Sequence, residues 1–144
     1  MALYLADSSV WAWADKGSRP DIAAKLAARL DRQEIATCVP VVLEVMHKAE
    51  TSSRYEELFD TLFEPLEWLR VGDLVAVRAL EVQRGLAAAS HRKHRRPALH
   101  YLIAAAAEIA GDGVTIWFFD NDLRVICEHT GQAFEAEAST GPGH

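Results

Sequence analysis

Cysteine is scarce in this chain: Cys38 and Cys127 are the only two among 144 residues. That excludes a disulfide-stapled scaffold and suits reduced thiols in an acidic chain. No apolar run is long enough to cross a bilayer, and Met1 to Ser8 lacks the basic-then-apolar order of a signal peptide. A cytoplasmic protein is the expectation. Internal repeats are absent, and the alanines are the only compositional bias. Basic residues are outnumbered, 15 Lys and Arg against 21 Asp and Glu, for a formal charge of −6. Such a balance argues at first sight against a nucleic-acid partner. What is present is ordinary globular material, 50% hydrophobic and 25% charged. The length suits one domain, expected over residues 1–138, with 139–144 as a frayed tail.

Along the chain, short apolar runs alternate with helical spacing. Leu3–Ala6, Glu34–Val39, Leu66–Val71 and Val114–Phe119 read as strands, the last apolar at nearly every position as a buried parallel strand should be. Between them, helices are expected over Val10–Ala14, from Ser18 to about Arg32, and over Pro40–Glu50. Ser53 and Glu56 form a capping box for another, with Leu58, Phe59, Leu62 and Phe63 as its apolar side. Further helices are expected over Asp73–Ala89, Ala98–Ala110 and Asn121–Glu128. The order predicts a three-layer α/β/α domain around a central, mostly parallel sheet of four to five strands.

Open parallel sheets bind ligands beyond the carboxyl ends of their strands. Asp7 directly follows the first strand, Asp120 and Asp122 follow the last, and Glu44 lies one turn into the helix after the second. Each acid alone reads as a turn former or helix cap. Together they place four carboxylates on one edge of the sheet. Uncompensated, such a cluster repels itself, so a divalent cation is the expected partner, and all-oxygen ligation favours Mg²⁺ or Mn²⁺. Such a site can activate water and screen charge developing on a phosphate. No residue forms a convincing nucleophilic triad. An aspartyl-phosphate chemistry at Asp7 is disfavoured, because it wants an acid two residues later, where Ser9 stands.

Several segments together resemble the PIN-domain ribonucleases, and within them the VapC-type toxins of toxin–antitoxin pairs. They are Leu5-Ala6-Asp7-Ser8-Ser9-Val10-Trp11, Val39-Pro40-Val41-Val42-Leu43-Glu44-Val45, Tyr101-Leu102-Ile103-Ala104-Ala105-Ala106-Ala107-Glu108, Phe119-Asp120-Asn121-Asp122-Leu123-Arg124-Val125-Ile126 and Thr130-Gly131-Gln132. Any one is weak; the ordered set, covering essentially the whole chain, is specific. The resemblance implies a Mg²⁺- or Mn²⁺-dependent endoribonuclease, a homodimer, restrained by a cognate VapB-like antitoxin. By position it implies that Asp7, Glu44 and Asp120 bind metal, that Asp122 is an auxiliary catalytic acid, and that Ser9 hydrogen-bonds the first aspartate. A non-catalytic module of the same fold, binding antitoxin or RNA, is the alternative.

One position departs from the family. Where its members carry an aspartate at the start of the alanine-rich helix, this chain has His100. Glu108, two turns on and about 12 Å up the helix, cannot substitute. Neutral imidazole could ligate Mn²⁺ in a mixed nitrogen–oxygen site with weaker Mg²⁺ binding. Imidazolium could instead take the metal's place and pair with Asp7 or Asp120. An engineered or incidental replacement that disarms the enzyme is the third reading. With one of four carboxylates gone, impaired metal binding is the default expectation.

The charge also has an internal arrangement. Arg84 to Arg96 holds five cations, Arg84, Arg92, Lys93, Arg95 and Arg96, and no acid. It runs into the helix bearing His100, so Arg92, Lys93, Arg95 and Arg96 could form a lip that tracks RNA phosphates. A solvated loop, or a contact for an acidic antitoxin tail, is the plainer reading. Trp11, Trp13, Trp68 and Trp117 are expected to pack in the core or an interface. Tyr55 with the Leu58–Phe63 face could be core, or a groove for an antitoxin helix.

Overall fold

The structure is a computed structural model, and it describes residues 2–111 and 113–139. Among the described residues, five strands form one sheet in the order β3-β2-β1-β4-β5. They are β1 (Leu3–Ala6), β2 (Ile35–Thr37), β3 (Glu67–Trp68), β4 (Val114–Phe118) and β5 (Phe134–Ala136). Every pairing is parallel, and the registers set Ala6 beside Trp117 and Leu5 beside Ala36. The expected α/β architecture is therefore present, with the full five strands.

The helices are α1 (Ser8–Asp15), α2 (Pro20–Asp31), α3 (Val39–Met46), α4 (Ser52–Leu58), α5 (Asp73–Ala89), α6 (Ala98–Ala110) and α7 (Asn121–Thr130). A π-helical turn, Phe59–Phe63, continues α4. From β1 the chain steps one way across the sheet through β2 to β3, then returns past β1 to β4 and β5. Right-handed crossovers put the helices of these two directions on opposite faces, α1–α4 on one and α5–α7 on the other. The reversal falls between β1 and β4, where their carboxyl ends open the crevice in which such sheets bind ligands.

The core explains the choice of residues. Leu5, Ile116, Trp117 and Phe118 are fully buried in the central strands. Ala104, Ala105, Ala106 and Ala107 let α6 approach closely, since each buries little more than a methyl. Pro97 before α6 and Gly111 after it, at φ 100°, bound that helix where the punctuation predicted. Among the described residues, no helix is long and apolar enough to cross a membrane.

Several local expectations are corrected. The cap of α4 is Thr51, whose hydroxyl accepts from the Arg54 amide at 3.1 Å, and not Ser53. Helix α3 ends at Met46, four residues short of Glu50. The expected Leu66–Val71 strand pairs over only Glu67 and Trp68. Strand β5 was not among the strand runs read from the sequence. Of the expected 139–144 tail, residues 140–144 lie outside the described residues.

Candidate metal centre

Asp7 is delivered to the crevice by the end of β1. Its amide donates to the Trp117 carbonyl at 2.9 Å, prolonging the β1–β4 ladder by one bond. Its side chain then caps α1, with Oδ2 accepting from the Ser9 amide at 3.2 Å and from Ser9 Oγ at 2.7 Å. The same Ser9 hydroxyl accepts from the Phe119 amide at 3.0 Å, tying the start of α1 to the end of β4. Oδ1 of Asp7 is buried with no hydrogen-bond partner among the described residues, in a residue only 1% exposed. Burial pushes this carboxyl above the usual range, and the Ser9 hydrogen bonds oppose that rise.

Glu44 follows the same pattern from α3. Ser8 Oγ donates to its Oε2 at 3.2 Å, while Oε1 is buried without a partner. Burial and the neighbouring Asp7 carboxylate both raise its pKa. Asp120 caps α7, its Oδ1 accepting from the Asp122 and Leu123 amides at 2.6 and 3.3 Å. Its Oδ2 lies 3.7 Å from His100 Nε2. Asp122 gives Oδ1 to Arg96 Nη1 at 2.5 Å and holds Oδ2 3.8 Å from His100 Nδ1. Each acid is thus gripped through one oxygen, leaving the other turned toward an anion-rich centre.

His100, on the first turn of α6, is the shared member. Its side chain is buried, and Nδ1 lacks a hydrogen-bond partner among the described residues. Asp7, Glu44 and His100 present one donor atom each, all within 4.8 Å of one another, and so do His100, Asp120 and Asp122. Oxygen ligands at 2.0–2.1 Å around one small cation stand up to about 4.2 Å apart, so only slight closure separates the first group from a ligand set. Three orphaned, buried donors from Asp7, Glu44 and His100 are what a divalent cation would satisfy. The residues fit such an ion.

The other sequence candidates fall as follows. Arg96 does not belong to a free lip, because it is paired with Asp122 and also donates from Nε to the Lys93 carbonyl at 3.0 Å. Arg92, Lys93 and Arg95 are exposed in the connection before α6, which Tyr101 braces by donating from its hydroxyl to the His94 carbonyl at 2.5 Å. Glu108 is engaged away from the centre, bound by Arg78 Nε at 2.7 Å. Trp11 is buried edge-on against Phe63, and Trp117 lies fully inside. Leu58, Phe59 and Leu62 pack against the core, leaving Tyr55 exposed. Sequence reasoning missed Ser8 as the partner of Glu44 and Arg96 as the partner of Asp122. The repeated hydroxyl after Asp7 was the only signal for the first; none existed for the second.

No protein-family model matches the chain. Ribonuclease VapC18 of Mycobacterium tuberculosis (strain ATCC 25618 / H37Rv) is 34% identical over 134 residues, covering 92% of this chain and 93% of that relative. Among solved structures, the DNA-bound VapBC of Salmonella typhimurium matches with a TM-score of 0.71, at 17% identity, over 94% of this chain and 98% of that one, and it shows a common fold.

Proposed function

The chain belongs to the VapC ribonuclease family, and from that premise we propose that it is a divalent-metal-dependent endoribonuclease acting in the cytoplasm as the toxin of a toxin–antitoxin pair. The observation that carries this reading is the set of orphaned, buried donors at the switch point of the sheet: Asp7 Oδ1, Glu44 Oε1 and a nitrogen of His100. Asp7, Glu44, His100 and Asp120 would hold the cation. Bound there, Mg²⁺ or Mn²⁺ would lower the pKa of a water and screen charge on the scissile phosphate.

The protein's own groups prepare that chemistry. Ser8 and Ser9 fix Glu44 and Asp7 by one oxygen each, so that their free oxygens keep one orientation. Arg96 neutralises part of the Asp122 charge and fastens the basic connection to the rim of the site. Arg92, Lys93 and Arg95 then face solvent beside it, where they would receive the phosphates of an RNA strand. Buried thiols at Cys38 and Cys127, each pushed up to about 12 by desolvation, stay protonated and take no part.

A VapB-like antitoxin and a second copy of the chain complete the reading. Val39 and Leu43, one turn apart on α3 beside Glu44, are about half exposed, as an antitoxin segment covering the site would require. Leu74, Val77 and Leu80 form a second exposed apolar stripe along α5, suited to a homodimer contact. His100 lowers the negative charge available to a hard cation, so Mg²⁺-supported activity is impaired.

The test is cleavage of a single-stranded RNA in each metal by the wild type, Asp7→Asn and His100→Asp. The reading expects slow, chelator-sensitive cleavage by the wild type, none by Asp7→Asn, and a faster Mg²⁺ reaction by His100→Asp. Equal rates for wild type and His100→Asp would sink the impairment. Absence of cleavage in all three, with intact folding, would favour the non-catalytic binding module.

A further inference from the structure

Resting on the metal reading above, we infer that His100 makes this centre selective for a first-row transition-metal dication such as Mn²⁺, with Mg²⁺ a poor substitute. Asp7 and Glu44 supply two bare carboxylate oxygens, and the third donor within 4.8 Å of both is an imidazole nitrogen. Mg²⁺ is hard and takes oxygen ligands, whereas Mn²⁺ and the later divalent metals accept nitrogen with rising affinity. The donor set itself therefore discriminates.

The surroundings of the ring support ligation. A metal-bound imidazole characteristically donates its second N–H to a carboxylate, which fixes ring orientation and raises ligand basicity. Here Nε2 stands 3.7 Å from Asp120 Oδ2, and Nδ1 stands 3.8 Å from Asp122 Oδ2. With Asp120 Oδ2 on the cation beside Nε2, Nδ1 is left facing Asp122. Those aspartates are themselves anchored, Asp120 by the α7 amides and Asp122 by Arg96. The two carboxylates that face the ring thus come from the N-cap and the first turn of α7, and the ring from α6, with the His100 side chain 8% exposed and its Nδ1 without a hydrogen-bond partner among the described residues.

The experiment measures binding, not turnover. Mn²⁺ affinity is read from the free-ion electron paramagnetic resonance signal, Mg²⁺ affinity by competition, and nitrogen ligation by ¹⁴N electron spin echo modulation of the bound Mn²⁺. Wild type is compared with His100→Asp and with His100→Asn, which removes the imidazole without adding a buried charge. The expected result is ¹⁴N modulation in wild type only, and a Mn²⁺ over Mg²⁺ preference that falls by about tenfold or more in both variants, the scale on which ligand and supporting-shell changes act. Mn²⁺ binding with no ¹⁴N modulation and an unaltered preference overturns the inference but leaves the metal centre standing. Binding of neither ion to the wild type overturns both.

Discussion

Replacing Ser9 by alanine removes one oxygen that serves two structures at once. The hydroxyl donates to Asp7 Oδ2 at 2.7 Å and accepts from the Phe119 amide at 3.0 Å. A hydrogen bond to a buried carboxylate is worth about 1.5–3 kcal/mol, and an amide left unpaired costs about 1–3 kcal/mol. The two share one atom and do not simply add, so a net loss of about 2–4 kcal/mol is expected. At about 4 °C per kcal/mol for a domain of this size, Tm should fall by roughly 8–16 °C. The second consequence is electrostatic. The Ser9 bonds are the largest of the interactions that oppose the burial-driven rise of the Asp7 pKa, so loss of the hydroxyl sends it higher still. Proton then competes better with metal, and divalent affinity should weaken more at pH 6 than at pH 8. Calorimetric melting and a metal titration at both pH values provide the assay, with Ser9→Thr, which keeps the hydroxyl, as the rescue. An alanine variant that melts within about 2 °C of wild type and binds metal with an unchanged pH profile refutes the reasoning.

Three further outcomes are expected. Substituting Lys93 and Arg95 together by alanine should lower the slope of log affinity against log salt for single-stranded RNA by about 1.4, whereas Arg96→Ala, already paired with Asp122, should change it less. Because burial raises both Asp7 and Glu44, the native state binds more protons than the unfolded chain above the ordinary carboxylate range. Their contribution to metal-free stability is therefore full below that range and is lost as pH rises through the raised native values. The metal-induced gain in Tm should accordingly grow from about pH 5 to pH 7.5, and a flat gain would count against the raised values. Arg29→Ala should cost about 2–4 kcal/mol by urea titration, and Arg29→Lys should not restore it. The guanidinium lies 3.7 Å from the Tyr4 ring centroid and 4.5 Å from that of Trp117, and grips Glu135 through two bonds at 2.8 and 3.0 Å.

Where local chemistry decides an element, the sequence reads well. Pro97 and Gly111 bracket α6 at its observed limits, and the apolar run of β4 marks an interior strand. Where tertiary partners decide, it does not. Strand β5 is three half-buried residues centred on Glu135, an acid that belongs in a strand only because Arg29 and Lys25 of α2 reach across to it. Thr51, Ser52 and Ser53 offer three hydroxyls in a row, and nothing local selects Thr51 as the cap. In the site, the acids were legible because strand ends on a parallel sheet point to one edge. Their holders were not, since Ser8 reaches Glu44 over a separation of 36 residues and Arg96 reaches Asp122 over 26. The opening charge of −6 misled for the same reason: it averages an acidic crevice with a basic rim.

The crevice between β1 and β4 is proposed to be a metal centre. Anomalous diffraction from crystals equilibrated with Mn²⁺ tests it most directly. A strong peak flanked by Asp7 Oδ1, Glu44 Oε1 and the His100 ring is expected. No peak there, with the imidazole instead closed onto Asp7 or Asp120 as an ion pair, would contradict it.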